Sequence, residues 1–349
     1  MKTAEVYFVD LLRQAFDSGA SDLHLTVNSP PVLRIDGQLH RLDDEPLVPL
    51  QLEEFTKSML NEAQYEKFSV RGELDFSYGI PGLSRFRINV YRQRGSVGIA
   101  ARVISPTVPS FESLNLPPVL LKLAQKPQGL FLVTGPTGSG KSTTLASLID
   151  HVNRSKRKHI VTLEDPIEYL HRHDQSIINQ REVGLDTTSF GEGLRAALRQ
   201  DPDMIMVGEM RDPETIRTAI TAAETGHLVF ATLHTSDAPQ TIDRIIDAFP
   251  PEQQGQIRIQ LAATLLVVLS QRLLPSRNGK GRVCATELLL NTPAVGNLIR
   301  TEKVHQIKSV MQTNHQLGMH TLDMSLQELL RLNLIDEVSA KPYLAEGHI

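Results

Sequence analysis

Cysteine is almost missing from this 349-residue sequence: Cys284 stands alone, so neither an intrachain disulfide nor a cysteine-cluster zinc site can form. Tryptophan is absent and aromatics make up only 5%, which argues against the stacking platforms of single-strand nucleic-acid binders. Neither sign of charge prevails. The 36 Lys+Arg against 40 Asp+Glu leave −4, so no global basic field draws the chain onto nucleic acid or anionic lipid. Long apolar runs are missing too. The longest, Leu261 to Leu269 with Thr264 inside it, is about half of the ~20 residues that a membrane-spanning helix needs. At the N-terminus Lys2, Glu5, Asp10 and Arg13 interrupt the uncharged core that a secretory signal requires. Together these absences predict a soluble, cytoplasmic protein with no nucleic-acid partner.

What is present falls into two textures. A chain this long predicts two domains at roughly 100 to 200 residues each, and 40% hydrophobic residues supply cores for both. Pro106, Pro109, Pro117 and Pro118 crowd into one seam, and because proline fits neither helix interiors nor central strands, residues 105–118 read as a linker. Before it, Phe86, Ile88 and Val90 alternate with Arg85, Arg87 and Asn89, the period of a half-buried strand. Residues 1–104 are therefore expected to form a small α+β domain. After the linker come short, wholly apolar runs, Leu130 to Val133, Ile160 to Leu163, Met204 to Val207 and Leu228 to Leu233, as in parallel strands buried on both faces. Helical patterns lie between them, one starting at Asp212-Pro213 and ending at Gly226. Residues 119–349 thus read as an α/β domain with a helical C-terminal region, where Leu322, Leu326, Leu329 and Leu330 keep helical spacing.

The chemistry begins at Gly135-Pro136-Thr137-Gly138-Ser139-Gly140-Lys141-Ser142, a P-loop placed after a strand and before a helix that runs from Thr143. Glycines let the backbone turn its N–H groups onto phosphate oxygens, and the helix adds its positive end. Lys141 is expected to reach the β and γ phosphates and Ser142 to ligate Mg²⁺, which makes ATP and Mg²⁺ the expected cofactors. Hydrolysis further needs a carboxylate opposite the γ-phosphate. Glu209 and Glu164 both end buried runs, at the carboxyl edge where open α/β sheets do their chemistry. Either could hold the metal through water. His234, between Thr232 and Thr235, reads as a γ-phosphate sensor or as an ordinary hydrogen-bonding residue, and His227 more readily as the latter. Arg195 and Arg199 are expected on one face of a helix ending at Asp201-Pro202.

On these residues the chain resembles the type IV pilus retraction ATPases (PilT-like) of the secretion ATPase superfamily. The resemblance covers nearly the whole length. It rests on the P-loop as Walker A, on Thr162-Leu163-Glu164-Asp165-Pro166-Ile167-Glu168-Tyr169 as an Asp box, and on Gly208-Glu209-Met210-Arg211-Asp212 as the end of Walker B. The run from Gly226-His227 to Thr232-Leu233-His234-Thr235 supplies a His box. Ser21-Asp22-Leu23-His24-Leu25 and Gly72-Glu73-Leu74-Asp75-Phe76-Ser77-Tyr78 are similar to the pilus branch in particular. The resemblance implies a PAS-like N-terminal domain, a RecA-like P-loop ATPase domain and a homohexameric ring that drives pilin removal and twitching motility. It implies catalytic roles for Glu209, Glu164 and His234, and for Arg87 and Arg102, the N-domain arginines that reach a nucleotide. It places Arg195 and Arg199 at subunit interfaces. Its implied partners are an inner-membrane pilus platform protein and a paralogous retraction ATPase, met at the cytoplasmic face of the inner membrane. One run departs from the family's Ala-Ile-Arg-Asn-Leu-Ile-Arg-Glu: Ala294-Val295-Gly296-Asn297-Leu298-Ile299-Arg300-Thr301 has Gly296 for an arginine and Thr301 for an acid. That keeps open an accessory, PilU-like paralogue. A RecA-like nucleic-acid translocase is the alternative from another class.

Overall fold

The computed structural model describes residues 3–35, 37–104, 107–279 and 281–344; Pro106 of the seam lies outside them. The chain divides into two compact units, Met1–Thr107 with Pro166–Leu170, and Val108–Asp165 with His171–Ile349.

The first unit carries helices α1 (Ala4–Asp17), α2 (Pro49–Met59) and α3 (Glu62–Arg71). Its strands are β1 (Asp22–Leu25), β2 (Val32–Ile35), β3 (Gln38–Arg41), β4 (Glu73–Ile80), β5 (Ser84–Gln93) and β6 (Ser96–Val103). They form one antiparallel sheet in the order β3-β2-β1-β6-β5-β4. The alternation read in β5 is real: Phe86, Ile88 and Val90 are fully buried and share a core with Phe8, Leu12, Phe55 and Phe68 of the three helices. The opposite face is polar. Register places Arg34, Asp22, Arg102 and Arg87 side by side across β2, β1, β6 and β5.

The second unit holds α4 (Val119–Leu123), β7 (Gly129–Thr134), α5 (Lys141–Ser155), β8 (His159–Glu164), β9 (Ile177–Glu182), α6 (Phe190–Ala197) and β10 (Met204–Val207). Next come α7 (Pro213–Glu224), β11 (Leu228–Leu233), α8 (Ala238–Asp247), α9 (Pro251–Thr264), β12 (Leu265–Pro275) and β13 (Arg282–Leu290). Helices α10 (Pro293–Arg300), α11 (Ile307–Thr313), α12 (Leu322–Arg331) and α13 (Glu337–Ala340) close it. The sheet runs β13-β12-β7-β11-β10-β8-β9, parallel from β12 to β9 with β13 antiparallel at the edge. Strands two-sided in burial feed two cores: Leu130 and Leu132 of β7 face one, Phe131 and Val133 the other. The chain is thus the α/β P-loop architecture expected.

Three local differences have physical causes. The proline seam is not a free connector beyond its start, because Phe111 and Leu116 are buried in the second unit's core. Helix α6 stops at Ala197, with Arg199 in a tighter turn (N–H to Ala196 O, 3.0 Å) and Asp201 at φ 54°. Arg195 and Arg199 therefore do not share a helix face. The apolar run Leu261 to Leu269 is split, ending α9 and beginning β12 at Leu265.

Candidate nucleotide-binding site

The P-loop leaves β7, whose six residues are all buried and whose Thr134 hydroxyl bonds that of Ser270 on β12 at 2.8 Å. It then turns through Gly135, Gly138 and Gly140 at φ 142°, 77° and 90°. Only glycine fits at Gly135, where a Cβ would collide with the Gln271 carbonyl and lie 2.6 Å from Ser139 Oγ. The turn delivers Lys141 as the first residue of α5, its Nζ donating to the Gly135 and Pro136 carbonyls at 2.7 and 3.0 Å. Ser142 and Thr143 follow on the helix's first turn, where N–H groups lack intrahelical partners. Ser139 is buried and its Oγ has no hydrogen-bond partner among the described residues. A tight glycine cradle, an ammonium at the start of the following helix and a spare hydroxyl fit a polyphosphate. The hydroxyl and carboxylate donors nearby are the hard oxygens that Mg²⁺ takes.

The carboxylates stand at strand ends stitched level with one another. Val207 of β10 pairs with Leu163 of β8 and Ala231 of β11, and past the strand Gly208 N–H donates to Leu163 O at 2.7 Å. The Thr232 hydroxyl donates to Gly208 O, and Met210 N–H to Thr232 O at 3.1 Å. A Cβ at Gly208 would lie 3.0 Å from Leu163 O, so that crossing is tight. Glu209 is thereby fixed between the two neighbouring strand ends. Its Oε1 meets His234 Nε2 at 3.3 Å and its Oε2 accepts Arg211 Nη2 at 2.6 Å. Burial alone would raise the Glu209 pKa, but the Arg211 hydrogen bond and charge and the His234 charge prevail and hold it below the usual carboxylate range. Glu164, 8% exposed, accepts from Thr162 Oγ1 at 2.6 Å and Gln180 Nε2 at 3.0 Å. The P-loop joins the same edge, since Gly135 N–H donates to Leu233 O, the residue before His234, at 3.3 Å.

The remaining expected residues are placed as follows. His227 sits at the far end of β11, its Nδ1 on Ala222 O at 3.0 Å, an ordinary satisfied histidine. Arg87 and Arg102 belong to the first unit. Arg102 Nε bonds Asp22 at 2.9 Å and Arg87 Nε lies 4.0 Å from Asp75. Arg195 pairs with Glu192 at 3.1 Å and also with Glu214. Two residues of the site fall outside the boxes named above, Gln180 and Arg282, whose Nη1 reaches Gly138 O at 3.4 Å; Arg211 lies inside the Walker B run but without a role assigned to it. Arg211 carried a signal, a base two residues past a strand-end acid and so on its side of an extended segment. The other two reach the site through strand pairing and left none.

The family model described as Type II/IV secretion system protein matches residues 112–337. The chain is 48% identical over 332 residues to the type IV pilus retraction ATPase PilT of Pseudomonas aeruginosa, covering 95% of this chain and 96% of that one. It is 42% identical over 322 residues to the type IV pilus ATPase PilU of the same organism, covering 92% and 84%. Among solved structures, the pilus retraction motor PilT with bound ADP superposes with a TM-score of 0.90 at 48% identity, covering 99% of this chain and 98% of that one.

Proposed function

We propose that this chain, which belongs to the Type II/IV secretion system protein family and within it to the type IV pilus retraction ATPases, is the subunit of a homohexameric motor that withdraws pilin and so drives twitching motility. The chain is an ATPase. The single observation that carries the site assignment is the contact of His234 with Glu209 at 3.3 Å, beside a P-loop whose first amide bonds Leu233.

In this reading Gly135 to Gly140 cradle the phosphates with their backbone. Lys141 exchanges its two loop carbonyls for the β and γ oxygens. Glu209, kept ionised by Arg211 and His234, orients the attacking water and takes up its proton, and His234 reports the presence of the γ-phosphate to the segment that follows it. Mg²⁺, ligated by Ser142 and by Glu164 or Glu209 through water, would offset phosphate charge. Arg87 and Arg102 supply positive charge to a nucleotide held by another subunit, and Arg195 and Arg199 serve subunit contacts. The first unit is read as PAS-like, with the domain limits 1–104, 105–118 and 119–349.

Among the described residues no helix is long and apolar enough to cross a membrane. The motor is proposed to work in the cytoplasm, held at the inner membrane by a pilus platform protein. Gly296, which is buried in α10 where the family run has an arginine, favours a second reading, an accessory subunit working with a paralogous retraction ATPase. Deleting the gene and counting surface pili tests the main reading. Excess pili support retraction, and loss of pili would overturn it.

A further inference from the structure

Glu287 is a carboxylate the ATPase chemistry does not use, on the edge strand β13 and only 3% exposed. Its two oxygens go to two different helices. Oε1 accepts the backbone N–H of Ala238, the first residue of α8, at 2.8 Å, and Oε2 accepts that of Leu322, the first residue of α12, at 3.3 Å. Both are helix-terminal amides with no partner inside their own helix. The N-cap of α12, Thr321, makes no side-chain cap bond, so Glu287 caps that helix from another element.

The two helices have different connections. Helix α8 begins four residues after His234, and the intervening turn is closed by Thr235 Oγ1 on Thr241 Oγ1 at 2.7 Å. Helix α12 is tied to β13 on both sides of Glu287: Ser325 Oγ accepts Thr286 N–H at 3.0 Å, and Leu288 and His320 exchange backbone bonds at 2.9 and 3.2 Å. A glutamine here would offer one acceptor and a donor where two acceptors are used. Burial pushes the Glu287 carboxyl pKa up, and the nearby Asp237 adds to the rise.

We propose that Glu287 is a positioning residue for ATP hydrolysis: by clamping the start of α8 against α12 it holds the segment that carries His234, so that the His234 loop and the C-terminal helices move as one. This rests on the reading of His234 as a group of the ATPase site. The test is a double-mutant cycle on the full chain, with steady-state ATPase measured for Glu287→Gln, His234→Ala and both together. Glu287→Gln should lower kcat about tenfold with KM for ATP within about twofold, and should cost nothing further once His234 is alanine. A loss that multiplies in full with that of His234→Ala would overturn the proposal while leaving the His234 reading intact. An unchanged kcat in His234→Ala alone would sink that reading and this one with it. Leu322→Pro covers the case of a misfolded Glu287→Gln, because proline is tolerated at a first helical position and removes the α12 amide; Leu322→Ala, which keeps that amide and loses only the side chain's packing beside Leu326, is its control and should leave kcat unchanged. The proline variant should lower kcat about threefold, again with no further cost in the His234→Ala background, and a folded Leu322→Pro with unaltered kcat would overturn the clamp.

Discussion

Glu209 shows what one residue can and cannot reveal in advance. Its place at a strand end beside a P-loop was legible, because four apolar residues and a glycine lead to it. Its ionisation was not, because that depends on Arg211 at 2.6 Å and His234 at 3.3 Å, and sequence does not give distances. Glu209→Gln is expected to keep ATP affinity near wild type and lower kcat by at least ~10², since the lost charge acts on water and not on the ground-state phosphates. Lys141→Ala should instead lose binding itself, read by titration with a fluorescent nucleotide. His171 makes a prediction about stability. Burial lowers its pKa from 6.5 to about 4 against the smaller pull of Asp150, and its Nδ1 has no partner among the described residues. The unfolded chain therefore binds the proton first. Stability is full above pH ~6.5 and falls by up to about 3 kcal/mol as pH drops toward ~4. Thermal melts of His171→Leu should show a shallower acid loss than wild type, and parallel curves would refute the assignment.

At the scale of elements, α10 was legible in its existence and in most of its orientation. Pro293 marks its start, and the helix runs Pro293–Arg300. The run after Pro293 reads as a short amphipathic helix with Ala294, Leu298 and Thr301 beside Val295 and Ile299 on its apolar side and Asn297 and Arg300 on its polar edge. Val295 and Ile299 are buried and Asn297 and Arg300 exposed, whereas Ala294 and Thr301 are exposed and Gly296 is buried. A helix of two turns has too few residues for periodicity to fix every position of its face, and packing against α9 decides the rest. Strands β7, β10 and β11 were legible for the opposite reason, since burial on both faces leaves no phase to misjudge. Gly296 faces Ala262 O, with a Cβ position 3.4 Å from it and 3.5 Å from Asn291 Oδ1, and that Oδ1 has no partner among the described residues. Gly296→Ala should fit and add about 0.5 to 1 kcal/mol to unfolding stability through helix propensity. An arginine at Gly296 would bring donors to the same unpaired oxygen. Gly296→Arg combined with Thr301→Glu should strengthen retraction in cells if the natural chain is an attenuated motor, and unchanged retraction would mark both departures as neutral. Arg300→Ala should leave ATPase within about twofold while impairing movement, and an equal loss of both would place Arg300 in the chemistry.

For the whole molecule, the ring reading carries its own measurement. If Arg87 or Arg102 completes a neighbouring copy's site, turnover per subunit should rise with protein concentration until rings form. Full specific activity in a monomer by light scattering would refute this. Two textures meeting at prolines were legible in the sequence, but the assignment of Pro166–Leu170 to the first unit was not, because nothing in the composition of five residues says which core they join. That stretch bears on the order of synthesis. The strands of the first unit are all made by Val103, yet the unit is complete only when Leu170 has left the ribosome, after β7 and β8 have already emerged. N-terminal units ordinarily fold as they appear, whereas a part of this one arrives only with its successor. A nascent chain ending at Thr107 should thus be cut faster by protease than the same residues in a chain extended through Leu170, and equal resistance would mean that the late segment is an ornament to a unit already folded.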